Sequence, residues 1–252
     1  MTESAVRQIA ALGALMVLLA LSAAWAVEGG GGVIQPANNY VGNVQSLQRG
    51  AKYFVNYCLG CHSAKYVRYN RLAEDLGLSE EQLLKNLMFT GERPYDAMIN
   101  AMPAEDAERW FGVAPPDLSL TARSAGTDYI YSYLKSFYLD DERPNGVNNL
   151  VLESTAMPHV LWELQGWHEA VFHEEQGTGG SRKFVRFEPV TQGMLSPEEF
   201  DRVVRDIANF LEYVSEPVQL ERRRLGVLVI LFLLVFLLFA WMLKKEYWKR
   251  VH

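Results

Sequence analysis

The sequence Cys58-Leu59-Gly60-Cys61-His62 constrains this chain more than any other stretch. Two cysteines separated by two residues, with a histidine directly after the second, are typical of the attachment site of a c-type haem. Each thiol can form a thioether bond to one vinyl group of the porphyrin, and the histidine can reach the iron. These are the only cysteines of the chain and no second CxxC or HxxxH follows, so a structural zinc site is disfavoured. The flanking sequence also lacks the βαβ pattern of a thioredoxin-like redox pair. The motif therefore predicts one covalently attached haem c with His62 as an iron ligand.

The body of the chain, between two apolar runs near its ends, is acidic. Residues 27–220 contain 16 lysines and arginines against 27 aspartates and glutamates. About 190 residues are enough for one hydrophobic core. The negative charge makes nucleic acid an unsuitable partner and favours a basic protein, which the long-range field would attract. Ordinary solubility is the alternative explanation that net charge leaves open.

Residues 1–26 have the pattern of an export signal. Arg7 precedes the apolar run 9–21, and Ala24-x-Ala26 suits a signal peptidase site. The run is also long enough to be an uncleaved membrane anchor, so that alternative stays open. Export agrees with the haem motif, because bacteria attach haem c outside the cytoplasmic membrane.

The second apolar run predicts a transmembrane helix. Residues 225–243 contain no charged side chain, and at about 1.5 Å per residue they can just span the hydrocarbon core. Trp241, Tyr247 and Trp248 fit an aromatic belt at one membrane interface. Basic residues flank both ends, so the charge rule does not set the direction, whereas the haem requires the body to lie outside the cytoplasm. The expected domains are a signal peptide (1–26), a haem domain (27–220), a transmembrane helix with basic flanks (221–247) and a cytoplasmic tail (248–252).

The body of the chain, between the two apolar runs, is predicted to form helices separated by long loops. Apolar spacing predicts a helix over 44–57, which would deliver Cys58 to the haem edge. Further helices are predicted after the capping box of Ser79 and Gln82, over 128–139 with Thr127 as the cap, and after the Ser196-Pro197-Glu198-Glu199 start. We expect loops over 63–78 and 140–193, with a short hairpin arm at 183–190.

The residues alone leave the second iron ligand open. The body offers Met88, Met98, Met102, Met157 and Met194, each of which could equally be a flexible core filler. Met102 and Met157 share the context Ala-Met-Pro, in which proline fixes the local backbone. Spacing alone favours Met102, since small soluble cytochromes c usually place the methionine a few tens of residues after the histidine.

Several longer motifs resemble the proteobacterial cytochrome c1 family, the c-haem subunit of the ubiquinol–cytochrome c reductase or cytochrome bc1 complex. The resemblance covers the chain from the signal to the C-terminal anchor. It implies a mainly α fold: a helical haem domain like that of class I cytochromes c, with long loop insertions, plus one C-terminal transmembrane helix. The motifs that carry it are Trp110-Phe111-Gly112, the Ala-Pro-Pro-Asp-Leu-Ser segment 114–119, Arg123, Asp128-Tyr129, the segment 143–150 and the segment 157–166.

The resemblance also implies a set of haem contacts. Met157 would be the sixth ligand, which makes Met102 structural. Arg123 would contact a haem propionate, Tyr129 would face a propionate, and Pro116 would contact the haem. Some bacterial relatives carry a disulfide in the loop before the methionine. This chain has no further cysteines, so packing alone must hold that loop.

The implied role is electron transfer at the bacterial inner membrane, with the haem domain in the periplasm. The chain would accept one electron from a Rieske iron–sulfur protein and pass it to a soluble or membrane-bound cytochrome c, beside cytochrome b in a dimeric complex. One alternative is a free-standing membrane-anchored cytochrome that donates to a terminal oxidase. Another is a peroxidase, which would need an open distal site with a basic histidine or arginine.

Two groups of polar residues have a structural and a functional interpretation. His159, His168 and His173 are expected to be polar surface groups rather than metal ligands. The acidic pairs and triplets at 140–142 and 174–175 are either a solvated face or a docking surface for a basic cytochrome c.

Overall fold

The computed structural model describes residues 34–174 and 182–249. The predicted export signal and residues 175–181 lie outside the described residues. The fold is mainly α-helical, as predicted. Its helices are α1 (Val44–Tyr53), α2 (Tyr69–Leu76), α3 (Glu80–Asn86), α4 (Ala104–Phe111), α5 (Thr121–Ala125), α6 (Thr127–Lys135), α7 (Trp162–Gln165), α8 (Pro197–Ser215) and α9 (Gln219–Trp248).

The strands form small antiparallel pairs at the margins of the helical core. They are β1 (Ala64–Arg68), β2 (Ala97–Met98), β3 (Phe137–Leu139), β4 (Val147–Asn149), β5 (His168–Glu174) and β6 (Arg182–Pro189), paired as β1–β2, β3–β4 and β5–β6. Strands β5 and β6 form a hairpin arm, of which the sequence predicted only the part at 183–190; β5 lies in the segment that was expected to be a loop. The rings of Phe172, Phe184 and Phe187 pack along this arm.

Helices α1 and α8 cross closely at the centre of the core. A Cβ at Gly50 would collide with the backbone carbonyl of Asp206, so only glycine permits this approach. Beside the crossing, the buried carboxylate of Asp206 accepts hydrogen bonds from Ser46 at 2.6 Å and from Arg49 at 2.6 Å. Because α1 leads directly into the CxxCH motif, this crossing fixes where the motif begins.

Helix α8 also packs against α6. Its Asp201 forms ion pairs with Lys135 of α6 at 2.6 Å and with Arg205 one turn along at 2.6 Å. The inner face of α8 is apolar, as its sequence periodicity predicts, and Val204, Ile207 and Phe210 are fully buried. Thus α1, α6 and α8 are the central packed helices of the domain.

Both predicted capping boxes are confirmed. Ser79 caps α3 with Gln82, and Ser196 caps α8 with Glu199, each pair exchanging side-chain and backbone hydrogen bonds. Among the described residues, one helix is long and apolar enough to cross a membrane, Glu221–Trp248. Its apolar side chains are exposed along its length, as expected of a single transmembrane helix.

The predicted loop over 140–193 contains β4, α7 and β5 as well as β6. Three other predictions of secondary structure differ from the structure at least in part. The first helix ends at Tyr53 and continues as a π-helical turn, Phe54–Cys58, which shifts the register just before the motif. Residues 63–78 contain β1 and α2 rather than a loop, and α2 buries Tyr69, Leu72 and Leu76 on one face.

The third error concerns α6. It begins at Thr127 with Gly126 at the cap position and ends at Lys135, and the segment expected to complete it forms β3 instead. Pairing with Val147–Asn149 satisfies the backbone of β3, which outweighs the helical spacing of its apolar side chains.

Candidate haem site

One apolar cavity of about 340 Å³ lies between the CxxCH motif, α6, α8 and the loop before α7. It is the place where most of the predicted haem contacts come together. The lining residues on which the argument rests are Tyr57, Cys58, Cys61, His62, Pro116, Tyr129, Tyr133, Leu152, Thr155, Met157, Ile207 and Leu211.

The CxxCH motif forms a tight turn at one side of this cavity. The backbone amides of Cys61 and His62 donate to the carbonyl of Cys58 at 3.0 and 2.8 Å. The side chain of Asn100 donates to the carbonyl of Cys61, and its backbone amide donates to the hydroxyl of Ser63 at 3.0 Å. Burial, with a smaller effect of Cys61, raises the pKa of the Cys58 thiol to about 12, so an unattached thiol stays neutral there.

One hydrogen bond fixes the orientation of the His62 ring. The ring is buried, and Nδ1 lies 2.7 Å from the carbonyl oxygen of Pro116, to which it can only donate. The other nitrogen, Nε2, is then free of a proton. Burial lowers the pKa of His62 against the opposing effects of the Pro116 carbonyl and Asp117, which favours the neutral imidazole. Extended backbone at the Pro-Pro segment is what presents this carbonyl.

Met157 lines the same cavity, and Met102 does not. Met157 is partly buried and packs against the core. Met102 lies in a separate cleft of about 210 Å³, beside Ser63 and Asn100. The cavity therefore brings together His62 and Met157, while spacing along the chain had favoured Met102.

The remaining predicted contacts differ in their placement. Pro116 and Tyr129 line the cavity, and Pro116 also orients His62. Arg123 lies exposed on α5 and is not among the lining residues, although its neighbour Thr121 is. A propionate contact of Arg123 therefore stays a prediction.

His159 is not a surface group, contrary to the sequence-based expectation. It is 3% exposed and stacks on Phe137 with 5.0 Å between ring centroids, and the edge of Trp167 packs against it. Burial, with a smaller effect of His168, lowers the pKa of His159 to about 4. His168 is half-buried and His173 is exposed, so the expectation holds for His173.

Sequence reasoning missed several cavity walls, chiefly Tyr57, Leu152 and Thr155. Tyr57 could have been found from its position next to Cys58. The hydroxyl of Thr155 lies 2.7 Å from that of Tyr133, which ties the loop before Met157 to α6. No local pattern announces this contact, because the two residues are joined only by the fold.

The residues around the cavity suit a covalently attached haem c. Both thiols and the imidazole lie at one wall, a thioether sulfur lies among the other walls, and the surroundings are apolar. A thiol pair, an imidazole and a thioether form a donor set typical of cytochromes c.

Comparison with known proteins shows the family to which the chain belongs. The Cytochrome C1 family matches residues 36–166 and 184–251, which is most of the chain. The chain belongs to the cytochrome c1 family. Its members are haem proteins of electron transport, and Cys58 and Cys61 of this chain agree with the covalent haem c that the family implies.

Three relatives of this cytochrome c1 family member match between 81% and 95% of the chain. A protein named cytochrome c1 from Allochromatium vinosum is 52% identical over 95% of this chain and 98% of its own. A Nitrosomonas europaea protein named ammonia monooxygenase gamma subunit is 47% identical over 82% of this chain and 84% of its own. The mitochondrial cytochrome c1 of Saccharomyces cerevisiae is 28% identical over 81% of this chain and 66% of its own.

Proposed function

We propose that this chain, as a haem electron-transfer subunit of the cytochrome bc1 complex, takes one electron from a Rieske iron–sulfur protein and passes it to a soluble or membrane-bound cytochrome c. The observation that supports this most is that Cys58, Cys61, His62 and Met157 line one apolar cavity. Among the described residues that line it, none is a carboxylate, lysine or arginine. A peroxidase would need a basic side chain, a histidine or an arginine, at an open distal site. Electron transfer therefore fits the cavity better than peroxidase chemistry.

Each of the chain's own residues then has one task. Cys58 and Cys61 would hold haem c covalently, His62 and Met157 would supply the protein's two iron ligands, and Pro116 orients the imidazole through its carbonyl. Haem c held in this way supplies a one-electron carrier, whose potential a thioether ligand raises. The apolar walls exclude water, which limits the reorganisation that a change of charge requires.

We also propose the arrangement at the membrane. Residues 1–26 serve as the export signal and residues 27–220 as the periplasmic haem domain. Residues 221–247 anchor this domain, and residues 248–252 lie in the cytoplasm. The exposed apolar helix α9, which follows α8 directly, supports the anchor.

An acidic surface near β3 and β4 suits a basic acceptor. Asp141 and Glu142 are exposed, whereas Asp140 is used internally and accepts a hydrogen bond from Asn148 at 2.8 Å. The side chains at 174–175 lie outside the described residues. Docking of a basic cytochrome c at this surface predicts that turnover falls as the salt concentration rises.

The ligand assignment is tested with carbon monoxide. The reduced wild-type protein should bind little carbon monoxide, because both axial positions are closed. Met157→Leu should open the iron to carbon monoxide and lower the midpoint potential, since the thioether is lost. Met102→Leu is the matched control and should leave both measurements unchanged. Carbon monoxide binding in Met102→Leu alone would overturn the assignment.

The place in a complex is tested by purification from membranes. We expect an affinity-tagged chain to bring down cytochrome b and the Rieske protein, and its haem to be reduced by quinol in the purified complex. Isolation of the chain alone would instead favour the free-standing cytochrome. Isolation with ammonia monooxygenase subunits would favour the role that the name of the Nitrosomonas relative gives to that protein.

The orientation is tested in intact spheroplasts. An external protease should digest the haem domain but leave a tag placed after residue 252 intact. Digestion of that tag would reverse the proposed orientation. N-terminal sequencing of the mature protein decides the signal, since a start at Met1 would contradict cleavage near Ala26.

A further inference from the structure

Ser154, three residues before Met157, has a backbone conformation that its side chain disfavours. Its φ angle is +63°, in the left-handed region. A residue with a Cβ rarely adopts this region because the Cβ crowds the backbone. Its side chain is exposed, so packing does not impose the conformation. Other contacts must therefore hold Ser154 in place.

Hydrogen bonds from two residues hold every polar group of Ser154. Arg143 donates from Nη1 to the hydroxyl and from Nη2 to the carbonyl, both at 3.1 Å. The side-chain oxygen of Asn148 accepts the backbone amide of Ser154 at 2.8 Å. A planar guanidinium is suited to this double contact, because its donors are fixed side by side.

Both holding residues are themselves fixed. Asn148 is buried in β4, and its amide nitrogen donates to Asp140 at 2.8 Å. Arg143 lies in the tight turn between β3 and β4, where its amide donates to the carbonyl of Asp140 and its carbonyl accepts the amide of Gly146. These hydrogen bonds hold the turn between β3 and β4 in one conformation.

The contacts continue up to the proposed ligand. The side chain of Asn145 donates to the carbonyls of Ala156 at 3.3 Å and Met157 at 3.4 Å. Thr155 is tied to Tyr133 on the other side. The segment from Ser154 to Met157 is therefore bound to the β3–β4 turn and to α6 at consecutive residues. A covalent crosslink is not available here, since both cysteines belong to the haem motif.

We propose that Arg143 is a positioning residue for Met157: together with Asn148 it locks Ser154 in the left-handed conformation and so directs the methionine sulfur toward the iron. This inference rests on the proposed role of Met157 as the sixth ligand. Loss of the lock should leave the haem attached but let the methionine leave the iron more often.

The test uses the full-length haem protein and variants of Arg143. Removing both contacts in Arg143→Leu should raise the fraction of reduced haem that binds carbon monoxide about tenfold and lower the midpoint potential. Arg143→Lys retains the charge but not the double contact, so its effect should lie between those of wild type and Arg143→Leu. Arg202→Leu, an exposed arginine on α8, is the matched control and should change neither measurement.

Two variants of Ser154 test the lock without altering the arginine. Ser154→Gly loses the hydroxyl contact but removes the Cβ that disfavours a positive φ. Ser154→Ala loses the same contact and keeps the Cβ. We therefore expect Ser154→Ala to bind more carbon monoxide than Ser154→Gly. The reverse order would contradict the lock. These variants also decide the matter if Arg143→Leu fails to fold.

The outcomes separate this inference from the ligand assignment. If Met157→Leu binds carbon monoxide but neither Arg143→Leu nor Ser154→Ala does, the lock is overturned and the assignment of Met157 survives. If Met157→Leu binds none, the assignment fails and the inference with it. Carbon monoxide binding in all three variants, with covalent haem content unchanged, is the expected result.

Discussion

The two sides of the haem cavity are built in different ways. On the His62 side, both cysteines and the proposed ligand lie within five consecutive residues that follow a packed helix. On the Met157 side, the proposed ligand lies in a loop between β4 and α7, which side-chain hydrogen bonds hold. The first side is fixed by chain continuity and packing, and the second by tertiary contacts. Substitutions on the His62 side should therefore reduce the amount of haem protein that forms, whereas substitutions on the Met157 side should alter only the ligation of the iron.

The largest effect is expected for His62→Ala. The variant removes the ligand that the motif and Pro116 hold and leaves a cavity beside buried walls. We expect little mature haem protein, whereas Met157→Leu should retain nearly all of its covalent haem. The measurement is the amount of covalently bound haem per chain in membranes. Equal haem content in the two variants would show that the sides do not differ as described.

The next effect concerns the helix crossing behind the motif. Gly50→Ala would drive a Cβ into the carbonyl of Asp206 and to within 2.7 Å of the Cβ of Phe210. We expect the free energy of unfolding to fall by about 2–3 kcal/mol, the usual cost of overpacking. Gly226→Ala on α9 is the matched control, because a Cβ built there has no atom within 4 Å beyond its chain neighbours and its own helix backbone. Denaturant titration measures the free energy of unfolding of both variants, and equal values would contradict a tight crossing of α1 and α8.

The sequence predicted the His62 side well for a physical reason. The haem motif, the helix before it and the extended Pro-Pro segment are local patterns, and each depends on residues near one another in the chain. The local features missed there were β1 and α2, which follow the motif, and the π-helical turn Phe54–Cys58, which adjusts the register between α1 and Cys58. Periodicity cannot reveal such an adjustment, since the apolar pattern continues through it.

The Met157 side could be predicted only through family resemblance. Spacing favoured Met102, and nothing local distinguishes the two Ala-Met-Pro segments. The contacts that separate them join Arg143 to Ser154 and Tyr133 to Thr155, which lie 11 and 22 residues apart. His159 was misjudged for the same reason, because the rings of Phe137 and Trp167 that bury it come from other elements.

A smaller effect is expected for the hydroxyl pair on the Met157 side. Tyr133→Phe and Thr155→Val each remove one partner of the 2.7 Å hydrogen bond. Their coupling energy in a double-mutant cycle should be about 1 kcal/mol, because the bond is partly buried and both partners are neutral. Additive effects on the free energy of unfolding would contradict a direct bond. Carbon monoxide binding should rise in both single variants if this bond helps to hold the loop.

The smallest effect should arise from the ion pair between α6 and α8, which supports both sides equally. Burial would raise the pKa of Asp201, but hydrogen bonds from Lys135 and Tyr131 and the charges of Lys135 and Arg205 lower it overall. A carboxylate with a lowered pKa stabilises the fold at pH values above its unfolded pKa. This contribution is lost as the pH falls through the pKa of Asp201 in the folded protein.

Asp201→Asn should therefore cost at most about 1 kcal/mol at pH 7, since the pair is partly exposed. The difference from wild type should shrink below about pH 4. Thermal unfolding measures it, with the exposed Glu108→Gln as the control. Because α6 and α8 form a wall common to both ligands, carbon monoxide binding should not change. A rise in binding would show that the Met157 side depends on this pair as well as on its own loop contacts.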